Sequence, residues 1–179
     1  WFGGRFGLFS KDFCFLSMVK ESIALLGATG SIGTSALAVA EEQNVSIVLA
    51  TAQKNYSSLL QKAYQHHIPC LIFTGIEDKE LQTKLKSENP DKRIYFGEAE
   101  LLKAIANENY DIALNAIAGS AGLRYSYAIL QNNKTLALAN KESLIMGGHI
   151  LTKMLAGKPI LPVDSELSAL FQAIGNHPA

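Results

Sequence analysis

The stretch Ser22-Ile-Ala-Leu-Leu-Gly-Ala-Thr-Gly-Ser-Ile-Gly-Thr-Ser-Ala-Leu-Ala-Val-Ala40 decides how the chain is read. A short apolar segment, Ser22 to Leu26, runs into a turn with glycines at 27, 30 and 33, and Ser35 to Ala40 continue as good helix formers. Strand, tight turn and helix in that order form the opening unit of a parallel α/β sheet. The turn aims backbone N–H groups and the positive end of the helix dipole at one point, and the missing side chains let a pyrophosphate approach. The spacing is GxxGxxG rather than GxGxxG, and a glycine triplet by itself is weak evidence. Its place at the end of the first strand, where the cofactor crevice of such folds begins, gives it weight. The alternative is a turn whose glycines serve only close helix–strand packing.

Outward from this unit, short apolar runs alternate with segments of helical period. Strands are expected at Ser22–Leu26, Val45–Ala50, Cys70–Phe73, Arg93–Phe96, Ile112–Ala116, Thr135–Ala139 and Ile160–Val163, with helices between most of them. The fold class is therefore α/β: a Rossmann-like, doubly wound, mainly parallel sheet with helices on both faces. A helix over Tyr56–His66 has Ser57 and Ser58 available as caps and puts Leu59, Leu60 and Ala63 on one face. Pro69 separates it from the third strand, and Gly157-Lys158-Pro159 is a stop for the helix that begins near Glu142.

With 179 residues, 48% apolar and 18% charged, the chain has the length to bury one good core and the composition of a folded globular protein. Sixteen Lys and Arg balance sixteen Asp and Glu, so no net field would draw in a polyanion, and nucleic acid is not an expected partner. No apolar run approaches the roughly 20 residues of a membrane span. Cys14 and Cys70 form neither a CxxC nor a zinc-like spacing, which suits a reducing compartment; the expectation is cytoplasmic, or plastid in a eukaryote. Residues 1–17, WFGGRFGLFSKDFCFLS, lack the order of a secretory signal, and Met18 directly precedes the first strand, so they are expected to be an extension outside the domain.

The end of the second strand carries Thr51-Ala-Gln-Lys-Asn55. It has no carboxylate for an adenosine ribose, whereas Lys54, flanked by Gln53 and Asn55, suits the extra phosphate of NADP. Two later strands also end in polar groups. Thr135-Leu-Ala-Leu-Ala-Asn-Lys-Glu-Ser-Leu144 runs from an apolar strand into Asn140, Lys141 and Glu142, and Leu161-Pro-Val-Asp-Ser-Glu166 ends in two carboxylates and a hydroxyl. Asp164 and Glu166 leave an extended segment on the same side, as hard oxygen ligands for Mg²⁺ or Mn²⁺ would. Helix capping by Asp164 or Ser165 is the competing account, and an exposed helix start is the competing account for Asn140 to Ser143.

GATGSIG, ALANKESL and LPVDSE, in this order and spacing, resemble 1-deoxy-D-xylulose 5-phosphate reductoisomerases, and Asn115-Ala-Ile-Ala-Gly-Ser-Ala-Gly-Leu123 is similar to that family's fifth strand and loop. The resemblance spans about Val19 to Gln172. It implies an NADPH-dependent enzyme of non-mevalonate isoprenoid synthesis. Such an enzyme converts 1-deoxy-D-xylulose 5-phosphate to 2-C-methyl-D-erythritol 4-phosphate with a divalent metal, and is usually a homodimer. By matching motifs, Thr29, Gly30, Ser31 and Ile32 would hold the cofactor phosphates, Gln53, Lys54 and Asn55 the adenosine end, and Asn140 and Glu142 would face the cofactor. Lys141 and Ser165 would touch the substrate. Asp164 and Glu166 would bind the metal, with Glu166 also reaching substrate, which turns the balance at that motif from capping to metal. Two positions depart from the pattern: Gln53 stands where many members carry Gly, and Leu167 where many carry His. Residues 18–163 would be the cofactor domain and 164–179 the start of a catalytic domain. The third metal carboxylate, a closing loop and the substrate-phosphate site would lie beyond Ala179.

Two rivals stay open. A semialdehyde dehydrogenase would need a catalytic Cys after the fifth strand, where none stands. An NADP-binding module or inactive fragment would bind the nucleotide without turnover. His66 and His67 sit at a helix end, where interaction with the dipole accounts for them. His149, His177, Arg124, Tyr125 and Tyr127 receive no role.

Overall fold

The computed structural model describes residues 21–153 and 160–163. The elements run β1 (Ser22–Leu26), α1 (Ser31–Glu42), β2 (Ser46–Ala52), α2 (Tyr56–Gln65), β3 (Cys70–Phe73), α3 (Lys79–Glu88) and β4 (Arg93–Phe96). They continue with α4 (Glu98–Asn107), β5 (Ile112–Asn115), α5 (Ala121–Gln131), β6 (Thr135–Leu138), α6 (Lys141–Lys153) and β7 (Leu161–Pro162). The seven strands form one sheet in the order β4-β3-β2-β1-β5-β6-β7, and every pairing is parallel. This is the Rossmann-like, doubly wound architecture expected.

Right-handed crossovers dictate where the helices go. The chain steps outward from β1 to β4 and then returns to place β5 on the other side of β1, so the helices before and after the return lie on opposite faces. Side chains alternate accordingly. Leu25, Ala50, Leu71, Phe73 and Leu114 meet Leu37, Leu59 and Leu85 of α1, α2 and α3. Ala24, Leu26, Ile72, Ala113, Leu136 and Leu138 meet Leu101, Ile105, Ile129 and Leu151 of α4, α5 and α6. One result is a groove of about 850 Å³ beside α1, where Ile23, Ile32, Val39, Leu114 and Val163 line the face that no described helix covers beyond β1.

Several boundaries differ from the sequence reading. The second strand is Ser46–Ala52 rather than Val45–Ala50, because Thr51 and Ala52 still pair with Ile72 and Phe73. A bulge between Ile23 and Ala24 places Leu49, not Val48, opposite Ala24. The fifth and sixth strands stop one residue early, at Asn115 and Leu138, and the seventh is Leu161–Pro162. The cap of α2 is neither Ser57 nor Ser58 but Asn55, whose Oδ1 accepts from Ser58 N at 3.2 Å. The helix stops at Gln65, His66 pairs through Nδ1 with Glu41 at 3.4 Å, and His67 takes φ 55°. Asn44 and Asn133 share that left-handed conformation, and the next residue each time bonds back five positions (Val45 N to Ala40 O at 2.8 Å, Lys134 N to Ile129 O at 3.1 Å). These are Schellman-type ends that turn the helix back toward the sheet without glycine. The stop at Gly157 and the extension at 1–17 lie outside the described residues.

At the opposite end of the sheet from the glycine turn, Asp111 clamps β1 to β5. Its Oδ2 accepts from Ser22 N and Ser22 Oγ, both at 2.8 Å. Hydrogen bonds from Ser22 hold the carboxyl below its ordinary value. A lowered folded-state pKa means that the ionised clamp stabilises above the usual carboxylate range and loses this contribution as pH falls through the folded value. Asp111→Asn is therefore expected to lower the thermal midpoint slightly near neutrality and less at about pH 3. A gap between wild type and variant that stays constant across this titration would count against the clamp.

Candidate functional site

The strand order reverses between β1 and β5, and ligands of open α/β sheets bind where the crevice opens beyond the carboxyl ends of such a pair. The glycine turn stands at that point. Gly27 adopts φ 83°, and a Cβ there would lie 2.8 Å from Ala116 O. Gly33, in the first turn of α1, would put a Cβ 2.7 Å from Ala28 Cα. Both positions exclude side chains for backbone reasons. Gly30 differs: a Cβ there would meet only Gly27 O, at an ordinary 3.6 Å. No side chain caps α1, because Gly30 occupies the N-cap position. The first N–H groups of the helix, around Ser31 and Ile32, thus face the exposed side of the turn with the dipole behind them, which is an anion cradle. Thr29 is half-buried, while Ser31 and Ile32 are exposed at its mouth.

What holds this turn in place was not apparent in sequence. Thr51, 2% exposed in β2, accepts Gly27 N at its Oγ1 (3.0 Å) and Ala28 N at its carbonyl (2.9 Å). Its only signal is a β-branched hydroxyl at the crevice end of an apolar strand. Lys62 of α2 was also missed; its Nζ donates to Thr34 Oγ1 at 3.1 Å, one turn into α1.

Directly after β2, Gln53, Lys54 and Asn55 are exposed in a row beside the glycine turn. The Gln53 carbonyl accepts Gly75 N at 2.9 Å, and its side chain lies over Gly75 from the β3 end. The departure from glycine at this position is thus absorbed by a glycine on the neighbouring loop. Asn55 uses Oδ1 to cap α2, which leaves its amide nitrogen as the group available to a ligand.

Across the crevice, Asn140 is 3% exposed at the end of β6. Its Nδ2 donates to Ile117 O (2.5 Å) and Gly119 O (2.7 Å), and its Oδ1 accepts Ser143 N (3.1 Å). It therefore latches the loop after β5 and caps α6 at once. Lys141 is the first residue of α6, and Glu142, the acidic residue of its first turn, is exposed. Asp164, Ser165, Glu166 and Leu167 lie outside the described residues. Among the described residues no group of three or more His, Cys, Asp or Glu is arranged to hold a metal ion.

Tyr125 and Arg124 turn away from the crevice. Tyr125 is 4% exposed and both contact Glu98 of α4, Arg124 as an ion pair and Tyr125 through its hydroxyl at 3.4 Å. Cys70 is buried in β3, and burial pushes its thiol up to about 11. A thiol held protonated inside a strand cannot serve as the nucleophile of a semialdehyde dehydrogenase. No helix among the described residues is long and apolar enough to cross a membrane.

Comparison with known proteins gives the same crevice a family context. Residues 23–148 match the family model described as 1-deoxy-D-xylulose 5-phosphate reductoisomerase. The reductoisomerase of Francisella tularensis subsp. novicida is 39% identical over 160 residues, covering 88% of this chain and 41% of the relative. The solved reductoisomerase from Zymomonas mobilis in complex with NADPH superimposes with a TM-score of 0.76 at 32% identity, covering 86% of this chain and 41% of that one. A reductoisomerase solved with NADPH, fosmidomycin and magnesium gives a TM-score of 0.75 at 33% identity, covering 86% and 40%. The chain spans about two fifths of the length of the relatives it matches.

Proposed function

Because the chain belongs to the 1-deoxy-D-xylulose 5-phosphate reductoisomerase family, we propose that it is the NADPH-binding part of an enzyme that converts 1-deoxy-D-xylulose 5-phosphate to 2-C-methyl-D-erythritol 4-phosphate. The observation that carries this reading is the uncapped N-terminus of α1 behind a glycine turn whose backbone leaves no room for side chains at the switch point of the sheet. Residues 18–163 are assigned to the cofactor domain and residues from 164 onward to the start of the catalytic one.

The residues fit a dinucleotide. Thr29, Gly30, Ser31 and Ile32 line the pyrophosphate site: the first N–H groups of α1 and the helix dipole face the anion, and Gly30, whose own N–H goes to Gly27 O at 3.2 Å, lets it approach. Gln53, Lys54 and Asn55 receive the adenosine end, where the Lys54 ammonium matches the additional phosphate of NADP. Asn140 shapes the opposite wall through the loop that it latches, and Glu142 stands exposed beside it. Lys141 and Ser165 are the proposed substrate contacts. Asp164 and Glu166 are the proposed ligands of Mg²⁺ or Mn²⁺, and Glu166 also reaches substrate. When bound, the metal supplies Lewis acidity at the substrate oxygens and NADPH supplies hydride. The remaining metal and substrate groups are assigned to the part of the family's fold that this chain does not span, and the whole enzyme is proposed to be a cytoplasmic homodimer.

The test follows NADPH absorbance with 1-deoxy-D-xylulose 5-phosphate and Mn²⁺ in the full-length protein. Oxidation of NADPH is expected, and none at all would overturn the assignment. Nucleotide binding without turnover would instead support the module reading. In the same protein Lys54→Ala is expected to weaken NADPH about tenfold while leaving NADH unchanged, the cost of one hydrogen bond to a charged group. Equal weakening of both nucleotides would remove Lys54 from the phosphate site.

A further inference from the structure

Asn115 ends β5 with no exposed surface, an unusual residue in a parallel sheet after the buried Ala113 and Leu114. A buried amide is retained only when its donors and acceptor are matched, and those of Asn115 are. Nδ2 donates to Gly122 O and to Ser126 Oγ, both at 2.8 Å, and Oδ1 accepts Ile117 N at 3.2 Å. The last of these bonds holds the second residue of the Ala116–Ser120 loop, and the first reaches α5 just past the loop's end. Asn140 grips the same loop from β6 at Ile117 O and Gly119 O. The loop abuts the glycine turn, with Ala116 O 2.8 Å from where a Gly27 Cβ would be, and Ala116 N bonds to Leu26 O at 2.9 Å. It is therefore the wall of the crevice that faces the anion cradle.

In a doubly wound sheet the adenosine half of a dinucleotide lies toward the second strand, so the other half must extend past the switch point, toward β5 and β6. Resting on the dinucleotide reading above, we propose that Asn115 is a positioning residue for the nicotinamide half. By tying Ile117 near the start of the Ala116–Ser120 loop, and Gly122 of α5 just past its end, to the end of β5, it sets the wall against which that half is held. It touches no ligand itself; it acts through the loop backbone.

Ligands that sample different halves of the crevice separate this role from general stability. In the full-length protein, Asn115→Ala is expected to weaken NADPH roughly tenfold, from the loss of hydrogen bonds that order the loop. Adenosine 2′,5′-bisphosphate, which carries only the adenosine half, is expected to keep its wild-type affinity. Asn115→Asp, which retains the acceptor facing Ile117 N, is expected to fall between. If neither variant folds, amide hydrogen exchange in the wild type decides. NADPH is expected to protect residues 116–122 and the bisphosphate is expected not to. Equal loss of both ligands, no loss of either, or a loop whose exchange ignores NADPH would overturn the proposal. A wild-type protein that binds neither ligand would overturn the dinucleotide reading beneath it.

Discussion

Gly33→Ala is expected to lower the thermal midpoint of the full-length protein by roughly 10 °C, from a cost of about 3–5 kcal/mol, and to abolish NADPH binding. The reason is backbone. The added methyl would sit 2.7 Å from Ala28 Cα and 2.8 Å from Ala28 C, distances that real Cβ atoms do not show, with Gly27 O closer still. These neighbours cannot rotate away as a side chain tip would. Either α1 tilts off the sheet or the turn opens, and the turn is itself held by Thr51. Gly30→Ala isolates the other half of the effect. Its Cβ meets nothing closer than 3.6 Å and its φ of −77° suits any residue, so the fold should keep its midpoint. Affinity for NADPH should nonetheless fall by about 10-fold to 100-fold, as expected when a methyl keeps a phosphate from a charged hydrogen bond. Calorimetry and nucleotide titration on both variants check the pair. A Gly33→Ala protein of normal midpoint would refute the packing account, and a Gly30→Ala protein of normal affinity would refute the cradle.

Asp164→Asn is expected to cost the full-length enzyme at least about 100-fold in kcat and leave the dissociation constant of NADPH unchanged. An amide cannot supply the charge that a hard divalent ion requires, and metal stabilisation of developing charge is worth several kcal/mol, each ~1.4 of which is tenfold in rate. The nucleotide cradle is built from β1, α1 and the end of β2, none of which contains Asp164. Steady-state rates across a Mn²⁺ titration, set beside NADPH binding without metal, provide the measurement. Full activity in the variant would remove Asp164 from the metal site. Loss of both activity and NADPH affinity would mean that the two halves of the site are not separable.

Most of the sheet was legible because its signals are local. A buried parallel strand must be apolar on both faces, so Cys70–Phe73, buried throughout, stands out between helices; the edge strand Arg93–Phe96 is less apolar but matches its expected bounds as well. Helix ends were harder. Asn55 caps α2 because it lies one residue before the first helical turn, and two following serines offered the same chemistry on paper. The end of β2 was missed by two residues because pairing with Ile72 and Phe73 extends it, and pairing partners are not encoded nearby.

The sequence by itself determined the family motifs, the alternation of strand and helix, and a glycine turn at the end of β1, since each depends on backbone preferences within a few residues. Only the tertiary structure decided what Thr51 and Asn115 do for the crevice. Thr51 and Asn115 look alike in sequence, as single polar residues at the ends of apolar strands. One hangs the glycine turn from β2 and the other pins the wall that faces it. Thr51 finds its partner 24 positions away, and although Asn115 bonds only to residues within 11 positions, the loop it holds meets the glycine turn only because Ala116 N bonds Leu26 O across the sheet. Hydrogen-bond partners at such separations are chosen by the strand order that brings β2 and β5 to either side of β1, and no local pattern carries that choice.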